Sequence, residues 1–261
     1  MLYALEGMLW GLRFFMGACI FSFFYVVACR LPTGESVVRG RSHCDSCGRT
    51  LTALELIPIF SYIFQRGKCK GCNTAIPAGC FWSEVCGGAA FVGCGLCFGC
   101  GSTGLLSLRG AIMFCYLGIL LIVSLIDWET QIIYDRFHIM ILLLDILAVG
   151  CFPEHSLSDR LLGFFIIALP MLLLAFLIPG AFGGGDIKLM AVSGWLLGTR
   201  SIVCAMFFGL MTGGLYGAWM LKTGKLGRKD HFALGPFLAF GLALAVFWGD
   251  RIVQWYLGFL R

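Results

Sequence analysis

Charge is what this sequence has least of. Lys, Arg, Asp and Glu make up 13% of the 261 residues, where soluble domains carry about 25%, and 59% of the residues are hydrophobic with a mean hydropathy of +0.91. Such a chain cannot clothe a water-facing surface, which excludes an ordinary soluble enzyme. Histidine is scarce as well: there are four, none in an H-E-x-x-H arrangement, so a zinc-peptidase helix is excluded. No histidine stands out as the base for a cysteine nucleophile. The AVSG stretch at 191–194 lacks the first glycine of the G-x-S-G serine-peptidase signature. The basic residues are not interleaved with aromatics as a base-stacking platform requires, so no nucleic-acid partner is expected. The net charge of +5 instead reads as an orientation signal and an attraction for acidic membrane lipid.

In place of charge there are apolar runs of about 20 residues, each long enough to cross a hydrocarbon core as a helix. Spans are predicted near residues 8–28, 81–100, 108–126, 133–152, 161–178, 186–197, 202–221 and 232–257. The predicted fold is an all-α polytopic membrane protein of about eight transmembrane helices. It has three parts: a first transmembrane helix at 1–30, a small cytosolic insert at 31–80, and a seven-helix core at 81–261. The sixth span is short, and a single pass from 186 to 221 would reverse everything after it. The basic cluster Lys222, Lys225, Arg228 and Lys229 decides between the two counts. With eight crossings it falls on the same side as the insert. That insert and the residue before it carry Arg30, Arg39, Arg41, Arg49, Arg66, Lys68 and Lys70, so the positive-inside rule places both in the cytosol. Both chain ends then lie outside. The first apolar segment is read as a retained anchor, because Arg30 and a basic loop follow it in place of a small-residue cleavage site.

The insert contains SHCDSCGRT and GKCKGCNTA. Cys44, Cys47, Cys69 and Cys72 form two C-x2-C pairs, the spacing of a four-thiolate zinc site. Two residues between cysteines let one tight turn aim both sulfurs at a tetrahedral ion, with Gly48 and Gly71 supplying backbone freedom. About fifty residues bury little core alone, so metal binding would supply folding free energy. Four thiolates leave no open position for water, which makes the zinc structural. Two disulfides are the alternative, disfavoured in a reducing compartment. Elsewhere, Cys94, Cys97 and Cys100 in GCGLCFGCG invite an iron–sulfur reading, but small residues every three or four positions in an apolar span read better as close helix packing. Cys19, Cys29, Cys80, Cys86, Cys115, Cys151 and Cys204 read as small apolar residues.

Carboxylates within membrane spans are expensive, and each is a candidate for function. Asp127, in SLIDWETQIIYDR, ends the third predicted span, and Asp186, in IPGAFGGGDIKLM, begins the sixth. The count of crossings puts both at the cytosolic boundary, where they can meet. Two carboxylates sharing a site do not both ionise easily: one holds a proton while the other stays anionic, the arrangement of an aspartic peptidase. Gly183, Gly184 and Gly185 then have two readings. They open the backbone so that an extended substrate pairs with it as an added strand, or they form a glycine-rich turn capped by an aspartate at a helix start. Asp145 lies near mid-span and reads as structural. Asp135, beside Arg136 and His138, reads as interfacial and solvated.

Taken in order, the motifs resemble the bacterial type IV prepilin peptidases over nearly the whole length. They are CRLPTGESVVRGRSHCDSCG, ELIPIFSYIFQRGKCKGCNTAIP, WSEVCGG, LIDWE, the G-x-G-D-x-K-L signature GGGDIKL, and LGPFLA. The resemblance implies that Asp127 and Asp186 are a catalytic pair, with Gly183, Gly184, Gly185 and Lys188 in the substrate-binding signature. It also implies that the cysteines form a cytosolic zinc domain in a multi-pass protein of the bacterial cytoplasmic membrane. The implied substrates are prepilins or pseudopilins, cleaved after a leader-terminal glycine. Members with the cysteine-bearing loop typically also methylate the new N-terminal residue, usually phenylalanine, with S-adenosylmethionine, and Glu84 at the membrane edge is the place to look for that cofactor. One departure is Tyr134, where the family usually has proline before the second aspartate of its first motif; proline there is favourable but dispensable. The rival from another class is a transporter whose aspartates relay protons or bind cations, with the zinc knuckle as a regulatory tether.

Overall fold

The computed structural model describes residues 2–37, 39–100, 105–178, 180–224 and 232–259, so Lys225, Arg228 and Lys229 of the basic cluster lie outside the described residues. It is all-helical: α1 (Leu2–Thr33), α2 (Phe60–Phe64), α3 (Ala78–Phe98), α4 (Leu108–Thr130), α5 (Asp135–Cys151), α6 (Leu157–Leu177), α7 (Gly184–Lys222) and α8 (Gly235–Phe259). Among the described residues there is no strand, only three isolated bridges. Six helices, α1, α3, α4, α6, α7 and α8, are long and apolar enough to cross a membrane. The other two predicted crossings are present in different form. Helix α5 has 17 residues, and α7 is a 39-residue helix interrupted at Gly198.

That interruption is a reversal of direction. A straight helix of this length would reach about 58 Å. Yet near the start of α7 the His138 Nε2 sits 3.0 Å from the Gly185 carbonyl, while Gly213 and Gly217 further on pack against Leu234 and Phe232, close to the Asp127–Gly235 contact described below. The far end is formed by the Thr199 N–H donating to Asp159 Oδ1 (3.2 Å) and by Gly249 packed on Ser201. Gly198 has φ 75° and ψ 173°, a left-handed conformation costly for other residues, and a Cβ there would lie 2.7 Å from His155 Nδ1. The two legs of α7 match the predicted spans at 186–197 and 202–221.

The chain forms two compact units, residues 1–114 and 115–261. In the first, α1 and α3 cross where Gly17 meets Gly87 with no side chain between them. Phe21 and Phe91 close on Phe114 beside this crossing, with ring centroids 5.2 and 5.0 Å apart. In the second, Gly163 of α6 meets Gly194 of α7 backbone to backbone, and Gly241 of α8 meets the Ala205 carbonyl. Apolar burial drives little association between helices in lipid, where tails are as apolar as leucine, so close backbone approach is what holds them. The outward faces stay greasy: Leu143, Leu162, Leu173 and Leu177 are all more than half exposed. Gly194→Val would drive an isopropyl group into the α6 backbone. The expected cost is about 2–3 kcal/mol, seen as a lower unfolding temperature of the detergent-solubilised protein.

Candidate active site and metal centre

Four helix ends in the second unit converge on the two carboxylates. Asp127 lies one turn before the end of α4, which runs on to Thr130, four residues past the predicted end. It is 5% exposed. The Gly235 N–H at the start of α8 donates to Asp127 Oδ2 at 2.9 Å. Asp186 is the third residue of α7, where a negative side chain suits the positive end of the helix dipole. The Gly183 N–H points back to its carboxyl group, and the two aspartates are near enough to feel each other's charge. Asp186 Oδ1 is buried with no hydrogen-bond partner among the described groups. Asp127 is thus held by a glycine N–H, and Asp186 lies against the glycine that caps its own helix.

The break before Asp186 is placed slightly differently from expectation. Gly183 caps the helix, whereas Gly184 and Gly185 already belong to its first turn; the irregular residues described are 178 and 180–183. Helical glycines in a first turn still present free N–H groups, because those four donors have no partner within the helix. Gly185 also faces Ile133, whose Cβ would be 2.9 Å from an added Cβ.

Two residues to which sequence reasoning gave no part in the site lie at this end of the unit. His138, 4% exposed, reaches from α5 to the Gly185 carbonyl, so it holds the glycine signature in place. Asp135, read as interfacial and solvated, is exposed as expected and in addition pairs with Lys188 Nζ of α7 at 2.7 Å. Only the spacing of Asp135 and His138 on one helix turn hinted at either role. Gly235 was visible only as part of LGPFLA. A Cβ there would lie 2.6 Å from Asp127 Oδ2. Gly235→Ala is therefore expected to displace the carboxylate and reduce turnover by about 10²-fold, in protein that still inserts, measured as the rate of leader removal.

In the first unit, Cys44, Cys47, Cys69 and Cys72 bring their sulfurs within 4.8 Å of one another, and among the described residues this is the one such ligand cluster. Cys44 Sγ and Cys72 Sγ are 3.8 Å apart, close to the separation of about 3.8 Å that tetrahedral zinc with Zn–S bonds near 2.3 Å requires. The donor set and spacing fit zinc. Each pair sits on a tight hairpin: the Cys44 N–H donates to the Arg49 carbonyl and the Cys69 N–H to the Thr74 carbonyl, both at 2.9 Å. The left-handed residues of the two turns are Gly48 (φ 68°) and Asn73 (φ 58°). Gly71, expected to provide that freedom, instead leaves room for Arg49, whose Nε would be 3.1 Å from a Cβ there.

Hydrogen-bond donors lower two of the four thiols, while Cys47, against the pull of the Arg49 N–H, is pushed up to about 11 by the neighbouring sulfurs. Backbone N–H groups of Cys72 and Gly71 point at Cys69 Sγ and hold its pKa down to about 6. Cys72 is lowered by the Thr74 hydroxyl. Arg49 lies beside Cys69 and pairs with Glu55 at 2.7 Å, holding that buried carboxyl down to about 2. The insert is tied to the helices by Glu84 of α3, which accepts from Ser22 Oγ of α1 at 2.8 Å and from the Ile59 N–H at 2.7 Å. Ile59 has φ 65°, an uncommon conformation for a β-branched residue, held in part by that bond.

Comparison with known proteins places the chain in a family. Residues 15–98 match the bacterial peptidase A24 N-terminal domain, and residues 114–218 match the type IV leader peptidase family. A protein of Bacillus subtilis (strain 168) named prepilin leader peptidase/N-methyltransferase is 37% identical over 249 residues, covering 95% of this chain and 97% of the relative. The chain belongs to the type IV leader peptidase family. Relatives with the same name from Aeromonas salmonicida (30% identical, 83% of this chain and 74% of the relative) and Burkholderia pseudomallei (30%, 84% and 71%) also match. No solved structure matches.

The family's usual proline before its second aspartate is replaced here by Tyr134, which caps α5 with φ −71°, the angle a proline ring would impose. Helix α5 therefore starts at Asp135 without it. Of the run that invited a cluster reading, Cys94 is wholly buried in α3, its carbonyl against Gly110 of α4, as helix packing requires, whereas Cys97 and Cys100 are exposed and take no part in a buried packing face.

Proposed function

We propose that this chain removes the leader of type IV prepilin-like proteins by aspartic peptidase chemistry and methylates the N-terminus so exposed. The observation that carries the reading is the convergence of Asp127 and Asp186, each against a glycine, in a chain 37% identical to a protein bearing that name. In the proposed reaction the ionised aspartate takes a proton from water as the oxygen attacks the peptide carbonyl, and the protonated partner donates to the carbonyl oxygen. On collapse the first aspartate passes its proton to the leaving amine as the C–N bond breaks, and the second takes one back from a hydroxyl of the tetrahedral intermediate as the product carboxyl forms, which resets the pair. Gly183, Gly184, Gly185 and Lys188 are assigned to the substrate's main chain, the free first-turn N–H groups serving an extended peptide.

Residues 31–80 are assigned as a cytosolic zinc domain between a first helix at 1–30 and a peptidase core at 81–261. Cys44, Cys47, Cys69 and Cys72 would hold the ion, and the positive-inside count supports a cytosolic insert in the bacterial inner membrane. For methyl transfer, S-adenosylmethionine is the implied donor and Glu84 the assigned cofactor residue. Both Glu84 oxygens are engaged, by Ser22 and Ile59, so a donor reaches them only once Ile59 lets go. Nothing in the comparisons favours the transporter reading.

Co-expression with a candidate prepilin, read by the mass of its N-terminus, tests both activities at once. A product shortened by its leader and heavier by one methyl group is expected. Full-length substrate beside inserted enzyme would refute the peptidase reading, and a shortened product without the methyl group would refute only the second activity.

A further inference from the structure

Asp145 of α5 is 2% exposed, and Tyr116 of α4 and Ser193 of α7 are wholly buried in the interior of the second unit. Tyr116 lies beside Ser193 and within electrostatic reach of Asp145. Both Asp145 oxygens, the Tyr116 hydroxyl and the Ser193 hydroxyl lack a hydrogen-bond partner among the described groups. A helical serine ordinarily donates to the carbonyl four residues back; Ser193 does not. Four such atoms on three neighbouring side chains point to something that binds them.

Arg160 of α6, 1% exposed, is near enough for its charge to act on Asp145, but it is committed elsewhere. It donates to the carbonyls of His155, Trp195, Ala148 and Phe152, at 3.3, 3.3, 3.2 and 2.9 Å. That uses four of the five N–H groups of a guanidinium. The carboxyl group and the two hydroxyls form a mixed set of donors and acceptors, which water, itself both donor and acceptor, satisfies.

We propose that Asp145, Tyr116 and Ser193 hold ordered water at a buried site within the bundle, separate from the aspartate pair. Tyr116 lies about three turns before Asp127 on the same face of α4, and Ser193 about two turns after Asp186 on the same face of α7. Buried Leu120, Val123, Leu189 and Met190 occupy the turns between, so the two polar sites are insulated by apolar side chains. The bound water bridges the two helices that carry the aspartates, and sets their spacing from the far end. The site stands whether or not the peptidase reading does.

The test is an experimental map of the wild-type protein fine enough to show ordered water, together with unfolding temperatures in sodium, potassium and choline chloride. Water density within hydrogen-bond reach of Asp145 and both hydroxyls is expected, with the same unfolding temperature in all three salts. Asp145 bonded directly to Arg160 or to the hydroxyls, with no density between, would overturn the proposal. So would a temperature raised selectively by sodium, which would make this a cation site. Variants give a second arm. Tyr116→Phe and Ser193→Ala should each lower the unfolding temperature, while Tyr116→Phe/Ser193→Ala/Asp145→Leu should recover part of the combined loss, since no orphaned acceptor remains. Strictly additive losses across the three would count against a shared ligand.

Discussion

Asp127→Asn and Asp186→Asn are each expected to lower leader removal by about 10³-fold or more, with membrane insertion and unfolding temperature nearly unchanged. Asparagine keeps the shape of aspartate, and at position 127 its amide oxygen still accepts from the Gly235 N–H. What it cannot do is exchange a proton with water or with the substrate carbonyl. Because the proposed pair shares one task, the double variant should be scarcely worse than either single one. The readout is the fraction of a co-expressed prepilin that retains its leader. Retained cleavage in either single variant would separate the aspartates from the chemistry, and a loss that follows only from poor insertion would show in the amount of protein in the membrane.

The second large effect is expected in the insert. Cys69→Ser removes the most buried of the four sulfurs, 4% exposed, and the one whose thiol is held lowest. A three-thiolate site loses most of a binding free energy that is typically about 10–16 kcal/mol for structural zinc, and the fold of the insert depends on it. Zinc content of the purified protein should fall from about one ion per chain to near none, and limited proteolysis should cut within residues 39–79 where the wild type resists. Acid should do the same to the wild type. A folded-state thiol lowered to about 6 favours thiolate, and therefore metal, at neutral pH. That advantage is lost as pH falls through 6 and protons reclaim the sulfur. Full zinc occupancy in Cys69→Ser would mean the four cysteines are not the ligands.

Much of this was legible in sequence because the strongest signals are local. Apolar run length gave the helices, C-x2-C spacing gave the metal cluster, and basic residues argued for the extra crossing that Gly198 provides. The family motifs named the aspartates. The supporting contacts were not legible, because they join residues far apart in the chain. Gly235 and Asp127 are separated by 108 positions, and His138 and Gly185 by 47. No periodicity encodes such pairings. The case of Gly71 and Asn73 shows a local failure: either residue type adopts a left-handed turn, and only the position of Arg49 decides where the glycine is needed for space.

The left-handed residue between the legs of α7 has a consequence for parity. Were residue 198 to continue the helix, every later residue would emerge on the opposite leaflet, and the amide that steadies Asp127 would be stranded a membrane's thickness away. A bulky side chain at this hairpin would therefore injure hydrolysis at the far rim without touching any group that takes part in it. The odd or even number of passages, and with it the meeting of the two carboxylates, hangs on one hydrogen atom where other residues carry carbon.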